Sequence, residues 1–384
     1  MKNTIALLLA LTVTFAITSC SCDTAEPTNS ESGDGSNSTI VVEYDSDDMD
    51  SSSSSTSMTY IKLAGNSVTL EGSGATVDGN IVTITSAGTY GISGTLDEGQ
   101  IVVYTQDNAT VKLILNGADI TCSTSAPIYI INADKTVVTL AEGTENYITD
   151  GDSYIFEDAA SDEPNAAVFS KDDLTINGGG RLTVKANYNN GIASKDDLKI
   201  TGGSIAVNAV NDGIKGRDCI GIKDGIITVN VGGDGMQSNN DEDPEKGFIS
   251  IEGGTIDITA GADGIQAETG ILIIGGNITM ATGGGSSIST ADSAKGLKTG
   301  VSMTIEGGTI DIDSADDSVH SDGSIVINGG LLALASGDDA IHADSTIEIN
   351  GGDIDITKCY EGIESADITI NDGEIHLVSS DDGI

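Results

Sequence analysis

The sequence predicts an all-β protein, a right-handed parallel β-helix, on three observations. First, a tripeptide reading Asn-Gly-Ile, Asp-Gly-Ile or a close variant returns along residues 190–384. Its middle residue falls at Gly191, Gly213, Gly235, Gly264, Gly296, Ser318, Ala340, Gly362 and Gly383, and six of the eight steps are 21 or 22 residues long. Internal periods of this size mark a solenoid. Second, each period holds two more short alternating stretches around a glycine corner, as in Ile249-Ser-Ile251, Gly253-Gly254, Ile256-Asp-Ile258. Alternation means strands with one buried face, so three strands and three turns fill one coil. Third, the 50 glycines suit tight corners while only 4 prolines leave the ladders uninterrupted. A leucine-rich horseshoe would need a Leu-x-x-Leu-x-Leu pattern and a helical segment, and neither occurs.

Taken in order, residues 1–19 read as a leader of lipoprotein type. Met1-Lys2 precedes the apolar run Ile5 to Ile17, and Ile17-Thr-Ser-Cys20 resembles a lipobox with Cys20 as the lipidated residue. Residues 20–58 are rich in Ser, Asp, Glu, Thr and Gly and are expected to be a flexible acidic tether. The protein is accordingly expected to be exported, lipid-anchored and exposed at the cell surface. Residues 59–165 carry less regular strands, among them Val68-Thr-Leu70, Ile101-Val-Val-Tyr104 and Val111-Lys-Leu-Ile-Leu115, and are expected to cap the solenoid; 150–165 reads as a loop. Residues 166–384 are the regular coils, broken by insertions near 238–246 and 283–289, and Asp381-Asp-Gly-Ile384 reads as a stop in mid-repeat, as in a fragment. Cys122, Cys219 and Cys359, an odd number widely spaced, are expected to be half-buried reduced thiols.

The net charge of −44 excludes nucleic acid as a partner. An acidic surface also keeps sheet edges apart, which accounts for scattered carboxylates but not for columns. Equivalent residues of successive coils lie about 4.8 Å apart, so Asp212, Asp234 and Asp263 stack, as do Asp317 with Asp339 and Asp322 with Asp344. Two carboxylates at that distance repel by about 1 kcal/mol in water and by severalfold more at a protein-like dielectric. Ca²⁺, with oxygen ligands about 2.3–2.6 Å away, would fit between rungs. Asn239, Asp241 and Asp243 alternate in the acidic insertion and, with Glu268, are expected to complete a calcium site beside Asp212, Asp234 and Asp263.

The tandem motifs Ser170-Lys-Asp-Asp-Leu-Thr-Ile-Asn-Gly and Ser194-Lys-Asp-Asp-Leu-Lys-Ile-Thr-Gly-Gly, with Asn211-Asp-Gly-Ile-Lys and Gly261-Ala-Asp-Gly-Ile-Gln-Ala-Glu, resemble an exported carbohydrate-binding β-helix family of plant-cell-wall-degrading anaerobes. The resemblance runs from Thr59 to the end. It implies binding of cellulose-like and acidic, pectin-derived polysaccharides, bound calcium, and a fold related to the family 9 pectate lyases.

Three functions follow for comparison. A binding protein for acidic glycans such as polygalacturonate, or for cellulose, would use the cations Lys171, Lys195 and Arg217, which fall in one column, together with Lys215; the same cations also have Asp172, Asp196 and Asp218 beside them. A lyase would need a calcium ion and a lysine base, for which Lys215 and Lys298 are the candidates. The related lyases look like Asp-Asp-Gly-x-Asp at this turn, whereas the position here holds Lys215, Gln237, Gln266, Lys298, His320, His342 and Glu364. A surface spacer or adhesin stiffened by calcium is the third, and on any of these readings the protein is expected to be a monomer. With no Trp, and with Tyr188 and Tyr360 as the tyrosines inside the repeats, stacking on neutral sugars has little to work with. His320 and His342 stack as neighbours in a ladder, and the sequence offers no third ligand beside them.

Overall fold

The computed structural model describes residues 40–156, 158, 160–288 and 293–384. Cys20 and the expected leader lie outside the described residues. From residue 100 onward the strands pair in parallel, each with its counterpart one coil later, and three sheets result. The first sheet contains Asn190–Ser194, Ile214–Gly216, Met236–Ser238, Ile265–Ala267, Leu297–Thr299 and Val319–Ser321; the second contains Asp197–Ile200, Cys219–Ile222, Phe248–Ile251 and Gly270–Ile273; the third contains Ser204–Ala209, Ile226–Val231, Thr255–Ala260 and Asn277–Thr282. The ladders therefore form the coils of a β-solenoid. Antiparallel pairs occur at the beginning, where 59–65 meets 68–71 and 75–78 meets 81–84.

Register converts the repeat into a core. In the first sheet Ile192, Ile214, Met236, Ile265, Leu297, Val319, Ile341 and Ile363 stand one above another, all buried. Ile200, Ile222, Ile251, Ile273, Ile305, Ile327 and Ile349 do the same in the second. Apolar columns of one kind pack without a size mismatch from coil to coil. Between the second and third sheets each coil turns at a glycine with positive φ. At Gly254 (φ 93°) an added Cβ would stand 2.8 Å from the Gly225 carbonyl oxygen below it, so the corner excludes a side chain.

Residues 40–50, placed by sequence in the flexible tether, are instead docked across the outer face of the second sheet. Asp45 caps a single helical turn, Ser46–Met49, and Asp48 is wholly buried beneath it. Its carboxylate lies 3.0 Å from Lys135 Nζ and 3.9 Å from Lys199 Nζ, and accepts a 2.6 Å hydrogen bond from Thr175 Oγ1. Its carbonyl accepts from Thr201 Oγ1 and Asn177 Nδ2. Further along, Tyr44 lies under the Lys223 ammonium, 4.6 Å from ring centre to Nζ. Gly221 sits on a strand, not at a corner, and makes room for the strap: a Cβ there would be 2.7 Å from Val42 Cγ1. Composition misses this because a few apolar residues, and one carboxylate aimed at two buried lysines, leave the stretch as Ser- and Asp-rich as a free tether would be.

Residues 151–156 of the loop fold back over the outer face of the first sheet. Tyr154 stacks on Tyr188 (centroids 4.2 Å, 18° between planes), and a satellite cluster of Ala126, Ala166, Phe169 and Ala193, with Tyr129 and Tyr154 against it, is buried on that face. The three cysteines are free and fully buried rather than half-buried. No helix among the described residues is long and apolar enough to cross a membrane.

Removing one side of a buried charge pair strands the other. Asp48→Ala is expected to release the strap, costing about 3 kcal/mol locally. Hydrogen exchange should show residues 40–50 unprotected while the coils from 190 onward exchange as before.

Candidate functional site

The turn from third to first sheet brings one residue per coil into a column: Asn190, Asp212, Asp234, Asp263, Lys295, Asp317, Asp339. The turn ends where the next coil's amide points along the solenoid axis, so a carboxylate or carboxamide there can accept from the coil after it. Asp234 N–H donates to Asp212 Oδ1 (3.1 Å), Asp263 N–H to Asp234 Oδ1 (3.0 Å), Lys295 N–H to Asp263 Oδ1 (2.8 Å) and Asp339 N–H to Asp317 Oδ1 (3.1 Å); Asn190 Oδ1 accepts from Asp212 in the same way. Three residues on, the outward positions of the first sheet supply a second column that meets the other carboxylate oxygens. Lys215 Nζ is 3.3 Å from Asp212 Oδ2, Gln237 Nε2 2.5 Å from Asp234 Oδ2, Lys298 Nζ 3.0 Å from Asp263 Oδ2 and His320 Nδ1 2.8 Å from Asp317 Oδ2.

The compensation is uneven. Burial, then Asp212 and Asp263 on either side, push the Asp234 carboxyl up to about 6. Burial also works against ionised Asp317, yet His320 and Lys295 hold it down at about 2. Asp339 is raised by burial and by Asp317 and Glu364.

The expected calcium site divides in two. Asp212, Asp234 and Asp263 do stack, but translation along the axis spreads their oxygens over successive rungs, so they do not converge on a point. Groups of three ligand atoms within 4.8 Å of one another occur, among the described residues, at Asp317/His320/His342, Asp339/His342/Glu364, Asp173/Asp196/Asp197 and Asp316/Asp317/Asp338. Asn239, Asp241, Asp243 and Glu268 lie at the opposite end of the short first-sheet strands, on the turn leading into the second sheet. There the insertion is knitted by Asn240, whose Oδ1 accepts from the Glu242 and Asp243 amides and whose Nδ2 donates to Asp218. Lys246 Nζ reaches Asp218 Oδ2 at 2.5 Å, and Gly247 packs on Glu268. The loop thus wraps Asp218, not Asp212, and alternation within it says nothing about which turn it covers.

The column Lys171, Lys195, Arg217 forms as read. Glu163, in the loop before the coils, clamps Lys171 (3.2 Å) and Lys195 (2.8 Å), and Arg217 pairs with Glu242. Both partners sit on insertions outside the coil period, so no spacing in the sequence announces them. Behind the cations Asp173, Asp196 and Asp197 crowd together, and burial and Asp218 push Asp196 upward. Lys215 belongs to the outward column of the first sheet; its ammonium donates to Asp212 and Gln237, and that of Lys298 to Asp263.

Residues 78–340, more than half of the chain, match the family described as carbohydrate-binding domain-containing protein. The chain belongs to this carbohydrate-binding domain family. A relative of the same description from Acetivibrio thermocellus is 52% identical over 175 residues, 46% of this chain and 61% of the relative, so the chain spans less than two thirds of that relative's length. The gadolinium derivative of a polysaccharide lyase-like protein from C. thermocellum is a solved structural neighbour, with TM-score 0.59 and 40% identity over 63% of this chain and 96% of that one. The outer face of the first sheet from Lys215 to Glu364 carries one polar side chain per coil, and Lys215, Gln237, Lys298 and His320 are each held by a carboxylate behind them.

The Asp234 carboxyl is raised, so the fold favours its neutral form, and ionisation costs stability as pH climbs from the ordinary 3.8 through about 6. Two pH units correspond to about 3 kcal/mol. In chelator-treated buffer, Asp234→Asn is expected to flatten the fall in melting temperature between pH 4 and 7, because Asn190 already shows that a carboxamide can accept the next coil's amide.

Proposed function

We propose that this carbohydrate-binding domain captures acidic, pectin-like polysaccharide, assisted by Ca²⁺, from a position at the cell surface where a lipid on Cys20 anchors it. The observation that carries the reading is the outward ladder Lys215, Gln237, Gln266, Lys298, His320, His342 and Glu364. Its rungs are about 4.8 Å apart, comparable with the rise of one sugar ring in an extended glycan. Lys215 and Lys298 keep 24% and 31% of their side chains exposed and can reach a uronate carboxylate while their aspartates fix them.

Cellulosic chains, which the sequence resemblance also implies, would ask for aromatic platforms; Tyr188 is already covered by Tyr154, and the exposed Tyr60, Tyr104, Tyr147 and Tyr360 are not rungs of the ladder. The motifs at Ser170 and Ser194 support the finer kinship with exported plant-cell-wall binders related to family 9 pectate lyases. Calcium is best placed at Asp173, Asp196 and Asp197, an oxygen-only group suited to a hard cation. That a solved neighbour was prepared with gadolinium, another hard oxygen-seeking ion, supports cation uptake in this fold. A lyase reading draws on the lyase-like description of that neighbour.

Affinity electrophoresis on polygalacturonate separates these readings. Retention is expected, with loss on chelation and in Asp196→Asn, and with about fivefold weakening in Lys215→Ala/Lys298→Ala, as for two partly exposed charged contacts. Retention on cellulose alone would overturn the acidic-glycan reading. Ultraviolet-absorbing unsaturated product would establish the lyase.

A further inference from the structure

Two successive coils carry the same six-residue pattern, Asp317-Ser-Val-His320-Ser-Asp322 and Asp339-Ala-Ile-His342-Ala-Asp344. Parallel register places His320 directly beside His342, with ring centroids 4.9 Å apart and planes at 84°. The edge-to-face arrangement turns both Nδ1 atoms toward the carboxylate column. Asp317 Oδ2 is 2.8 Å from His320 Nδ1 and 3.8 Å from His342 Nδ1, and Asp339 Oδ2 is 3.6 Å from His342 Nδ1. Zinc–ligand bonds of about 2.0–2.1 Å imply edges near 3.3 Å in a tetrahedron, so these separations need only small side-chain rotations to close on an ion.

We propose that Asp317, His320 and His342 bind a borderline divalent cation of the zinc class on the outer face of the first sheet, with water completing its shell. This site is separate from the oxygen-only calcium group and does not depend on the glycan reading. Two imidazole nitrogens in the donor set select zinc-like ions over calcium.

The backing of the imidazoles argues for ligation beyond mere proximity. His320 Nε2 is 3.0 Å from Asp322 Oδ1 and His342 Nε2 3.6 Å from Asp344 Oδ1, so each ring has a carboxylate behind its far nitrogen, the arrangement that fixes tautomer and raises basicity in metal-bound histidines. In the neighbouring coils the equivalent ring positions are Gln266, Lys298 and Glu364, so the paired imidazoles are confined to these two rungs. Charge agrees: Asp316, Asp317, Asp338 and Asp339 gather here against Lys295, whose Nζ touches Asp317 Oδ2 (2.5 Å) and Asp316 Oδ2 (3.0 Å). Lys295 can keep Asp316 when an ion takes the place of the hydrogen between Asp317 and His320. His320 is buried and His342 partly exposed, which leaves a way in from solvent.

The test is titration of tag-free, chelator-stripped full chain with Co²⁺ as a spectroscopic probe for zinc. One equivalent is expected to give the intense visible absorption of a four-coordinate ion, displaced by Zn²⁺ and insensitive to about a hundredfold excess of Ca²⁺. His342→Ala should abolish it or weaken binding at least about tenfold, Asp322→Asn should weaken it while the protein keeps its melting temperature, and His376→Ala, on exposed His376 beside Asp355, should leave it unchanged. If His320→Ala fails to fold, His342→Ala decides. Absence of saturable binding, a weak six-coordinate spectrum, or a spectrum unaltered in His342→Ala would overturn the proposal.

Discussion

A parallel solenoid sets like residues on like, and that stacking at one rung per coil is the constraint from which the rest of the molecule follows. For isoleucine the repetition is favourable, and the core is built from columns of it. For aspartate it is not: neighbours repel by about 1 kcal/mol even in water and by more where they are buried. The column at the third turn is tolerated because Asp212, Asp234, Asp263 and Asp317 each accept the next coil's amide, a hydrogen bond to a charged group contributing about 1.5–3 kcal/mol. Lys215, Lys298, Lys295 and His320 then meet the charge that is left. Built-in donors therefore meet part of the charge that stacking leaves on the column. Where the donors fall short, at Asp234, Asp196 and Asp339, the carboxyls are raised.

The same logic separates what is legible in the sequence from what is not. Coil period, strand alternation, glycine corners and the Asp212–Asp234–Asp263 stack are all translations by one period, so they show on the page as spacing. Asn239, Asp241 and Asp243 escape it because an insertion breaks the period, and its side of the rod is decided by Asn240 and Lys246 folding onto Asp218. The strap at residues 40–50 and the Glu163 clamp are hidden for a related reason: both lie outside the repeat, and neither obeys its spacing. Gly221 holds a trace of the strap, being a glycine where the coil needs no corner. The carboxylate beside His320 and His342 stands three residues before His320, at Asp317, but only the turn's geometry shows that it bends toward the rings.

Strap, loop and ladder divide the surface among them. Residues 40–50 cover much of the second sheet, and Tyr154 covers the first sheet at its early coils, with Phe169 and Tyr129 beside it. What stays open on the first sheet begins at Lys215 and rises through amides, a lysine and two histidines to Glu364. The chain belongs to a carbohydrate-binding domain family, and the chemistry of that face is one of donors and charge, with no aromatic ring among its rungs. Rigidity comes from behind, since Lys215, Gln237, Lys298 and His320 are each tied to a carboxylate that is itself tied to backbone.

The account is tested most directly by a ¹³C NMR titration of the aspartate side-chain carboxyls in metal-free protein. It predicts that Asp234 titrates near 6 and Asp317 near 2, two residues of the same column separated by their partners alone. A common midpoint for both, at the value of an ordinary exposed aspartate, would contradict it.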